Sequence, residues 1–144
     1  MFELEELRKK IEEQDYQGAL KIVDELEEMS VEDKLNKIES YMVILLMHLI
    51  KQEAEQRTTS SWNRSISNSV KGINKTNKRR KSGGYYVKPE AIATIFAETF
   101  DDAMEEAAYE AFEGKLSIEE LAAKLDRQQI IDKAIALCNA KLEV

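Results

Sequence analysis

The stretch from Ser30 to Gln56 constrains the fold most, because it is the only segment of the chain that is apolar on more than one helical face. One stripe recurs at alternating steps of four and three residues: Val31, Leu35, Ile38, Met42, Leu45 and Leu49. A second stripe beside it contains Val43, Leu46, Met47 and Ile50. Other elements must cover such a helix. We therefore predict a buried central helix over about residues 31–55, which begins at a capping box at Ser30.

The remainder of the chain also favours helices. One proline and five glycines in 144 residues leave few positions that break a helix. The predicted helix boundaries are a break near Asp15, a cap at Ser60 or Ser61, Pro89, Gly114, a capping box at Ser117, and Asp126 with Gln129. We predict an all-α, single-domain bundle of six to seven helices over residues 1–144, with a flexible basic loop over about 76–88 and a C-terminal helical extension over 116–142.

Three features bear on the compartment. The single cysteine, Cys138, cannot form an internal disulfide, and the segment Met1 to Lys10 lacks the basic start and apolar run of a signal peptide. The longest nearly continuous apolar run, Tyr41 to Ile50, is about half the length that a bilayer requires. We expect a soluble protein in a reducing, cytoplasmic compartment, without a membrane as partner.

The charges are divided into three blocks. The net charge is −7. Residues 1–56 and 82–144 are both acidic, whereas residues 57–81 carry eight basic side chains and no acidic one: Arg57, Arg64, Lys71, Lys75, Lys78, Arg79, Arg80 and Lys81. This basic segment either neutralises the acidic helices of its own chain or presents a basic face to nucleic acid. An overall acidic protein is an unusual nucleic-acid binder, so the second alternative is the weaker one.

Two adjoining motifs carry a family resemblance. The sequence ESYMVILLMHLIKQ, from Glu39 to Gln52, is followed by SWNRSI, from Ser61 to Ile66. Together they resemble domain-of-unknown-function family 29, a bacterial family common in cyanobacteria. The positions that match its pattern are Glu39, His48, Lys51, Ser61, Trp62 and Ile66. The resemblance extends over about residues 16–112. It implies an all-helical fold and a bacterial source, and it supplies no activity.

His48 and Trp62 each have two interpretations. His48 is the only histidine, and Lys51 and Gln52 stand at the helical positions where a second metal ligand belongs. A buried neutral imidazole, hydrogen-bonded to Tyr41, Glu39 or Ser61, is therefore the favoured interpretation. Trp62 beside Arg57 and Arg64 is suited to stacking on a nucleobase, but such a tryptophan more often anchors a helix junction.

The carboxylates on the second half of the chain suggest one further chemistry. Glu98, Asp101, Asp102, Glu105 and Glu106 have the helical spacing that chelates Mg²⁺ in some helical hydrolases. Such a site needs a second cluster from a facing helix, for which Glu25, Glu27 and Glu28 are the candidates. A solvated acidic face is the ordinary alternative. Cys138 is interpreted as a small core residue.

Three functional hypotheses follow. The first is a non-enzymatic domain that acts by protein–protein interaction, with a partner protein or by self-association. The second is nucleic-acid binding through residues 57–81, and the third is a Mg²⁺-dependent hydrolase. The sequence contains no Gly-rich phosphate loop, nucleophile elbow or Cys-x-x-Cys motif, so we predict no catalytic residue, metal ligand or cofactor and lean against an enzyme.

Overall fold

The computed structural model of the chain describes residues 2–79 and 83–142. These residues form six α-helices and no strand, which confirms the predicted all-α bundle. The helices are α1 (Phe2–Glu12), α2 (Tyr16–Glu55), α3 (Ser60–Asn77), α4 (Pro89–Glu110), α5 (Ile118–Ala122) and α6 (Arg127–Leu142), with a 3₁₀ turn over Ala111–Gly114 between α4 and α5. No helix within this described part is both long and apolar enough to cross a membrane.

The central helix starts earlier than the sequence indicated. We predicted its start at Ser30, but α2 is a single helix of 40 residues that runs through Ser30 without a break. A serine inside a helix is less favourable than alanine by only about half a kcal/mol, and no proline or glycine lies between Gly18 and Gly72. The capping-box pattern at Ser30 was therefore misleading, because nothing nearby forces the chain to bend.

The other helix starts follow local signals closely. Ser117 and Glu120 form the predicted capping box, and the backbone N–H of Gln129 donates to the Asp126 carboxylate at 3.2 Å. Pro89 occupies the first turn of α4, as predicted. The cap of α3 was predicted one or two residues too late, since the Thr59 hydroxyl accepts from the backbone N–H of Trp62 at 3.0 Å. Any of three adjacent hydroxyl residues has the right chemistry, so spacing alone does not choose between them.

The chain divides into two compact units, Met1–Lys34 and Leu35–Val144, and each is described by itself. The first contains α1 and the beginning of α2. Asp15 closes the turn between them, because its carboxylate accepts from the backbone N–H of Gly18 at 3.0 Å and pairs with the Lys10 ammonium at 3.4 Å. Among the described side chains of this unit, only Ala19 and Ile22 are buried.

The second unit holds the main hydrophobic core. The remaining part of α2 contributes six fully or almost fully buried side chains: Ile38, Met42, Leu45, Leu46, Leu49 and Ile50. Side chains from three other helices complete the core, among them Val70 and Ile73 of α3, Phe96 and Phe100 of α4, and Ile130, Ile131 and Ala134 of α6. The two predicted apolar stripes are thus buried or half-buried from Leu35 to Ile50, whereas Val31 is exposed. The opposite side of the helix faces solvent at Asn36, Ser40 and Ile44.

The connection between α3 and α4 is more regular than predicted. We placed a flexible loop at about 76–88, but α3 continues through Asn77. The Asn77 amide donates to the carbonyl of Val87 at 3.0 Å and accepts from its N–H at 2.6 Å, and Lys78 and Tyr85 form an isolated antiparallel bridge. The middle of the predicted loop, residues 80–82, lies outside the described residues.

Gly72 of α3 leaves room for the side chain of Tyr41 on α2. A Cβ atom built on Gly72 would lie 2.5 Å from the ring of Tyr41, which is shorter than any real contact. The flat face of the tyrosine therefore occupies the space that any larger residue needs. This contact couples the helix that is central to the core to its neighbour.

We predict that Gly72→Ala lowers the free energy of unfolding by about 1–2 kcal/mol, although alanine is the better helix former, because overpacking outweighs the gain in helix propensity. Urea unfolding followed by far-UV circular dichroism measures the change. Asn68→Ala, on the exposed side of the same helix, is the matched control and should leave stability equal or slightly higher. Equal stabilities of Gly72→Ala and the control would contradict this packing.

Candidate functional site

Three residues of the family pattern meet in the second unit. His48 and Lys51 are three residues apart on α2 and share one side of it, and Trp62 stands in the first turn of α3, whose start is fixed by the Thr59 cap. The rings of His48 and Trp62 have centroids 6.5 Å apart, and the Lys51 ammonium lies 4.5 Å from the centroid of the Trp62 ring. The structure therefore joins residues that lie up to 14 positions apart in sequence.

His48 is buried and neutral. Only 8% of the residue is exposed, and its Nδ1 atom has no hydrogen-bond partner among the described residues. Burial lowers the pKa of the imidazole and the positive charge of Lys51 lowers it further, whereas the negative charge of Glu110 raises it by a smaller amount. The predicted hydrogen bond to Tyr41, Glu39 or Ser61 does not form, and Glu39 and Ser61 are exposed. The imidazole instead packs against Trp62.

Lys51 is a buried cation with one carboxylate nearby. Its side chain is 6% exposed, and the ammonium lies 3.5 Å from Glu110 Oε2 at the end of α4. Glu110 itself is half-exposed. Burial of an ammonium group is unfavourable unless it is paired, so Glu110 and the Trp62 ring provide the compensation that the described residues offer.

Arg57 approaches the same tryptophan. Its guanidinium carbon lies 4.7 Å from the ring centroid, and its Nε atom pairs with Glu55 at 3.1 Å. Trp62 thus contacts two cations from the end of α2 and the loop that follows. This is the geometry of a helix-junction anchor, and it leaves less of the ring open to a stacking base than the sequence suggested.

A cavity of about 570 Å³, which is open to solvent on one side, lies beside this group. Its lining consists of Lys51, Glu55, Arg57, Trp62, Glu110, Phe112, Glu113 and Lys115. Phe112 and Glu113 have positive φ angles of 51° and 59°, a conformation that costs on the order of 1–3 kcal/mol for residues other than glycine. Backbone strain of this kind is often found at binding sites, so the cavity is the candidate functional site.

The sequence analysis identified only part of this site. Of the six pattern positions, His48, Lys51 and Trp62 come together, Glu39 and Ser61 are exposed, and Ile66 packs on the core. Glu110 and Phe112 were missed, because residues some sixty positions away leave no spacing signal. Lys51 was the one available indication, since a lysine on the buried side of a helix requires an anionic partner.

The basic segment faces solvent on α3. Arg64, Lys71 and Lys75 are separated by seven and four residues, so they lie on one side of the helix, and all three are exposed. Lys78 and Arg79 are exposed as well, and Arg79 lies over the ring of Tyr86. None of these five cations forms an ion pair with a described residue, whereas Arg57 does; Arg80 and Lys81 lie outside the described residues.

The acidic face of α4 remains a solvated surface. Glu98, Asp101, Asp102, Glu105 and Glu106 are exposed, and Asp101 accepts from the Arg127 guanidinium at 3.1 Å. Within residues 2–79 and 83–142, no three histidine, cysteine, aspartate or glutamate side chains are grouped closely enough to hold a metal ion. Glu25, Glu27 and Glu28 are exposed on the part of α2 that belongs to the other unit. The magnesium hypothesis therefore gains no support from this geometry.

Cys138 is 4% exposed in the core, and burial raises the pKa of its thiol to about 11. At neutral pH the thiol is therefore protonated and not nucleophilic. The interpretation as a small core residue agrees with this environment.

We predict that His48 makes stability depend on pH. In the unfolded chain His48 binds a proton near pH 6.5, whereas in the folded chain it does so only at lower pH. Between these pKa values the unfolded state binds more protons, so the free energy of unfolding falls as the pH drops below about 6.5, by at most about 1.4 kcal/mol per pH unit.

Urea unfolding between about pH 7.5 and 5.5, compared for the wild-type chain and His48→Gln, measures this effect. The carboxylates titrate in both proteins, so the difference between the two curves isolates His48. The free energy of unfolding of the wild-type chain should fall relative to that of His48→Gln as the pH drops below about 6.5. Parallel curves would show that the folded and unfolded states protonate His48 alike.

The family was identified by comparison of the whole chain. The sequence model described as "Domain of unknown function DUF29" matches residues 3–134, which includes nearly all of α1 and the first half of α6 beyond the segment that showed the resemblance. No curated protein and no solved structure matches the chain. Because the match covers far more than half of the sequence and contains the His48, Lys51 and Trp62 group, this chain belongs to the DUF29 family of domains of unknown function.

Proposed function

We propose that this chain is a non-enzymatic protein–protein interaction domain whose first unit binds a partner protein through exposed apolar side chains. The observation that carries the proposal is the composition of that unit's surface. Large apolar side chains are exposed throughout it: Leu4, Ile11, Tyr16, Leu20, Met29 and Val31. Single exposed apolar residues are ordinary, but here they outnumber the two buried side chains of the unit.

Tyr16 and Leu20 form the clearest part of this surface. They are four residues apart on α2, so they lie one above the other on the same side, and each is 61% exposed. Leu20 is next to buried Ala19 and two residues before buried Ile22, which shows that α2 has a covered and an uncovered apolar side in this unit. Association with a partner would remove the uncovered side from water.

The charges around this surface define the partner. Residues 1–34 contain twelve acidic and five basic side chains, so the unit that carries these apolar residues has a net negative charge. The complementary surface is apolar with lysine or arginine at its border, for example a basic amphipathic helix. Support for a non-enzymatic role comes from the second unit, where His48 and Cys138, two side chains of catalytic type, are buried.

We predict that the chain binds a synthetic amphipathic helix of about 18 leucine and lysine residues, and that Tyr16→Ser with Leu20→Ser weakens this binding at least tenfold, because two large apolar contacts are lost. Fluorescence anisotropy of the labelled peptide measures the affinity. Tyr109→Ser with Ile118→Ser removes one exposed aromatic and one exposed aliphatic side chain outside the first unit, and this matched control should bind as the wild type does.

Two outcomes would contradict the proposal: absence of peptide binding, or an equal loss in the control. Light scattering of the chain alone identifies the remaining alternative. A dimer that is lost with Leu20→Ser but retained in the control would assign this surface to a second copy of the chain.

The exposed cations of α3 favour a second candidate, nucleic-acid binding. Arg64, Lys71 and Lys75 span about 16 Å along one side of the helix, with serine and asparagine side chains between them and no carboxylate on the helix. Cations without a partner in the described structure are available to phosphates. The acidic character of the whole chain weakens long-range attraction to nucleic acid, which makes this the second candidate.

If this candidate is correct, Arg64→Ser, Lys71→Ser and Lys75→Ser together should weaken binding to a generic DNA duplex and reduce the slope of log K against log[salt] by about 0.9 for each lost phosphate contact. Anisotropy at several salt concentrations measures the slope. The control replaces three exposed lysines elsewhere: Lys21→Ser, Lys37→Ser and Lys133→Ser. A common slope for both triple variants would eliminate α3 as the contact.

A further inference from the structure

We propose that the cavity beside Trp62 binds a small organic anion, whose carboxylate or phosphate group replaces the Glu110 carboxylate at the Lys51 ammonium. The site is independent of the interaction surface proposed for the first unit, because all its lining residues belong to the second. Three properties of the cavity lead to this ligand: an under-coordinated buried cation, a carboxylate that can leave, and a suitable size.

The buried cation is Lys51. An ammonium group has three N–H donors, and charge-assisted hydrogen bonds to carboxylates are usually 2.7–2.9 Å long. Lys51 has one carboxylate in range, at 3.5 Å, and no hydrogen bond of its ammonium is found among the described residues. The side chain is almost fully buried, but the ammonium borders the cavity, where water reaches it. An oxyanion in the cavity would replace that water with charge-assisted hydrogen bonds.

Glu110 indicates which chemical group binds the Lys51 ammonium. It is the last residue of α4, its side chain is 51% exposed, and its carboxylate points back to the buried ammonium across a long distance. The backbone that follows is strained at Phe112 and Glu113, so the end of α4 is held in a conformation that neighbouring contacts must maintain. A carboxylate on a half-exposed side chain is readily replaced by a ligand carboxylate of the same chemistry.

The rest of the lining limits the ligand. Arg57 adds a second cation beside Trp62, while Glu55 and Glu113 are already paired with Arg57 and Lys115. These two carboxylates disfavour ligands with several anionic groups, so we expect a ligand with one carboxylate or one phosphate group. The volume of about 570 Å³ falls in the range of small-molecule sites and exceeds what a simple ion needs.

Fluorescence of Trp62 tests the proposal directly, since Trp62 is the only tryptophan of the chain and lines the cavity. Sodium acetate and inorganic phosphate are titrated in turn at constant ionic strength, adjusted with sodium chloride. We expect a saturable change in emission with at least one of them, and at least tenfold tighter binding in Glu110→Gln, which removes the competing carboxylate. Tighter binding of acetate would identify a carboxylate ligand, and tighter binding of phosphate a phosphate monoester.

Two further variants complete the experiment. Glu106→Gln, an exposed carboxylate one turn earlier on the same helix, should bind like the wild type, and Lys51→Met should lose the response. Because Lys51→Met removes a buried group, its helical content is checked by circular dichroism, and Arg57→Gln provides a second loss variant at an exposed position. No saturable change in the wild type and Glu110→Gln with both anions, or equal affinities of Glu110→Gln and Glu106→Gln, would overturn the proposal.

Discussion

The burial of α2 between Leu35 and Lys51 is the constraint on which the second unit depends. Over these residues one side of the helix contributes side chains with almost no exposed surface, and apolar side chains of α3, α4, α5 and α6 pack in the same core. Each fully buried aliphatic side chain stabilises the fold by roughly 1.5–3 kcal/mol, so this helix accounts for a large share of the hydrophobic free energy. The helices around it need only one apolar side each.

This constraint also produces the polar group beside Trp62. Polar residues on the covered side of this helix must be accommodated internally, and His48 and Lys51 lie on that side near its C-terminal end. His48 is neutral and packs on an aromatic ring, whereas Lys51 keeps its charge close to the cavity and Glu110. The candidate site therefore arises where the most buried helix of the unit approaches solvent, and its unusual electrostatics follow from that position.

Local chemistry made much of the fold predictable. The central apolar stripes, Pro89 at the start of α4, the capping box at Ser117 and the Asp126 cap depend on neighbours within four residues, and sequence spacing reports such contacts directly. The failures concern choices between local alternatives of nearly equal free energy. Ser30 has the pattern of a cap but lies inside α2, because a serine within a helix costs little. Thr59 rather than Ser60 or Ser61 caps α3, and all three residues have the chemistry of a cap.

The site itself was less predictable for a related reason. His48, Lys51 and Trp62 were singled out by the motifs, but their meeting with Glu110 and Phe112 is a tertiary contact that no periodicity encodes. The same holds for the Asn77 amide, which binds both backbone groups of Val87 across a loop that appeared featureless in sequence. Side chains of opposite charge are abundant in this chain, so composition does not indicate which pairs form.

The charged surfaces of the chain contribute little to its folding. Surface ion pairs contribute little to stability, typically below about 1 kcal/mol each, so the basic segment is not required to hold the fold together. Its described cations on α3 have no ion-pair partners among the described residues, which removes the support for their role as counterions of the chain's own acidic helices. Like charges placed along one helix repel each other in the isolated protein, and a bound anionic surface relieves that repulsion. The excess negative charge of the first unit repels itself in the same way, and a basic partner would relieve that repulsion. The charge pattern therefore supports the two proposed associations and contributes little to the stability of the fold.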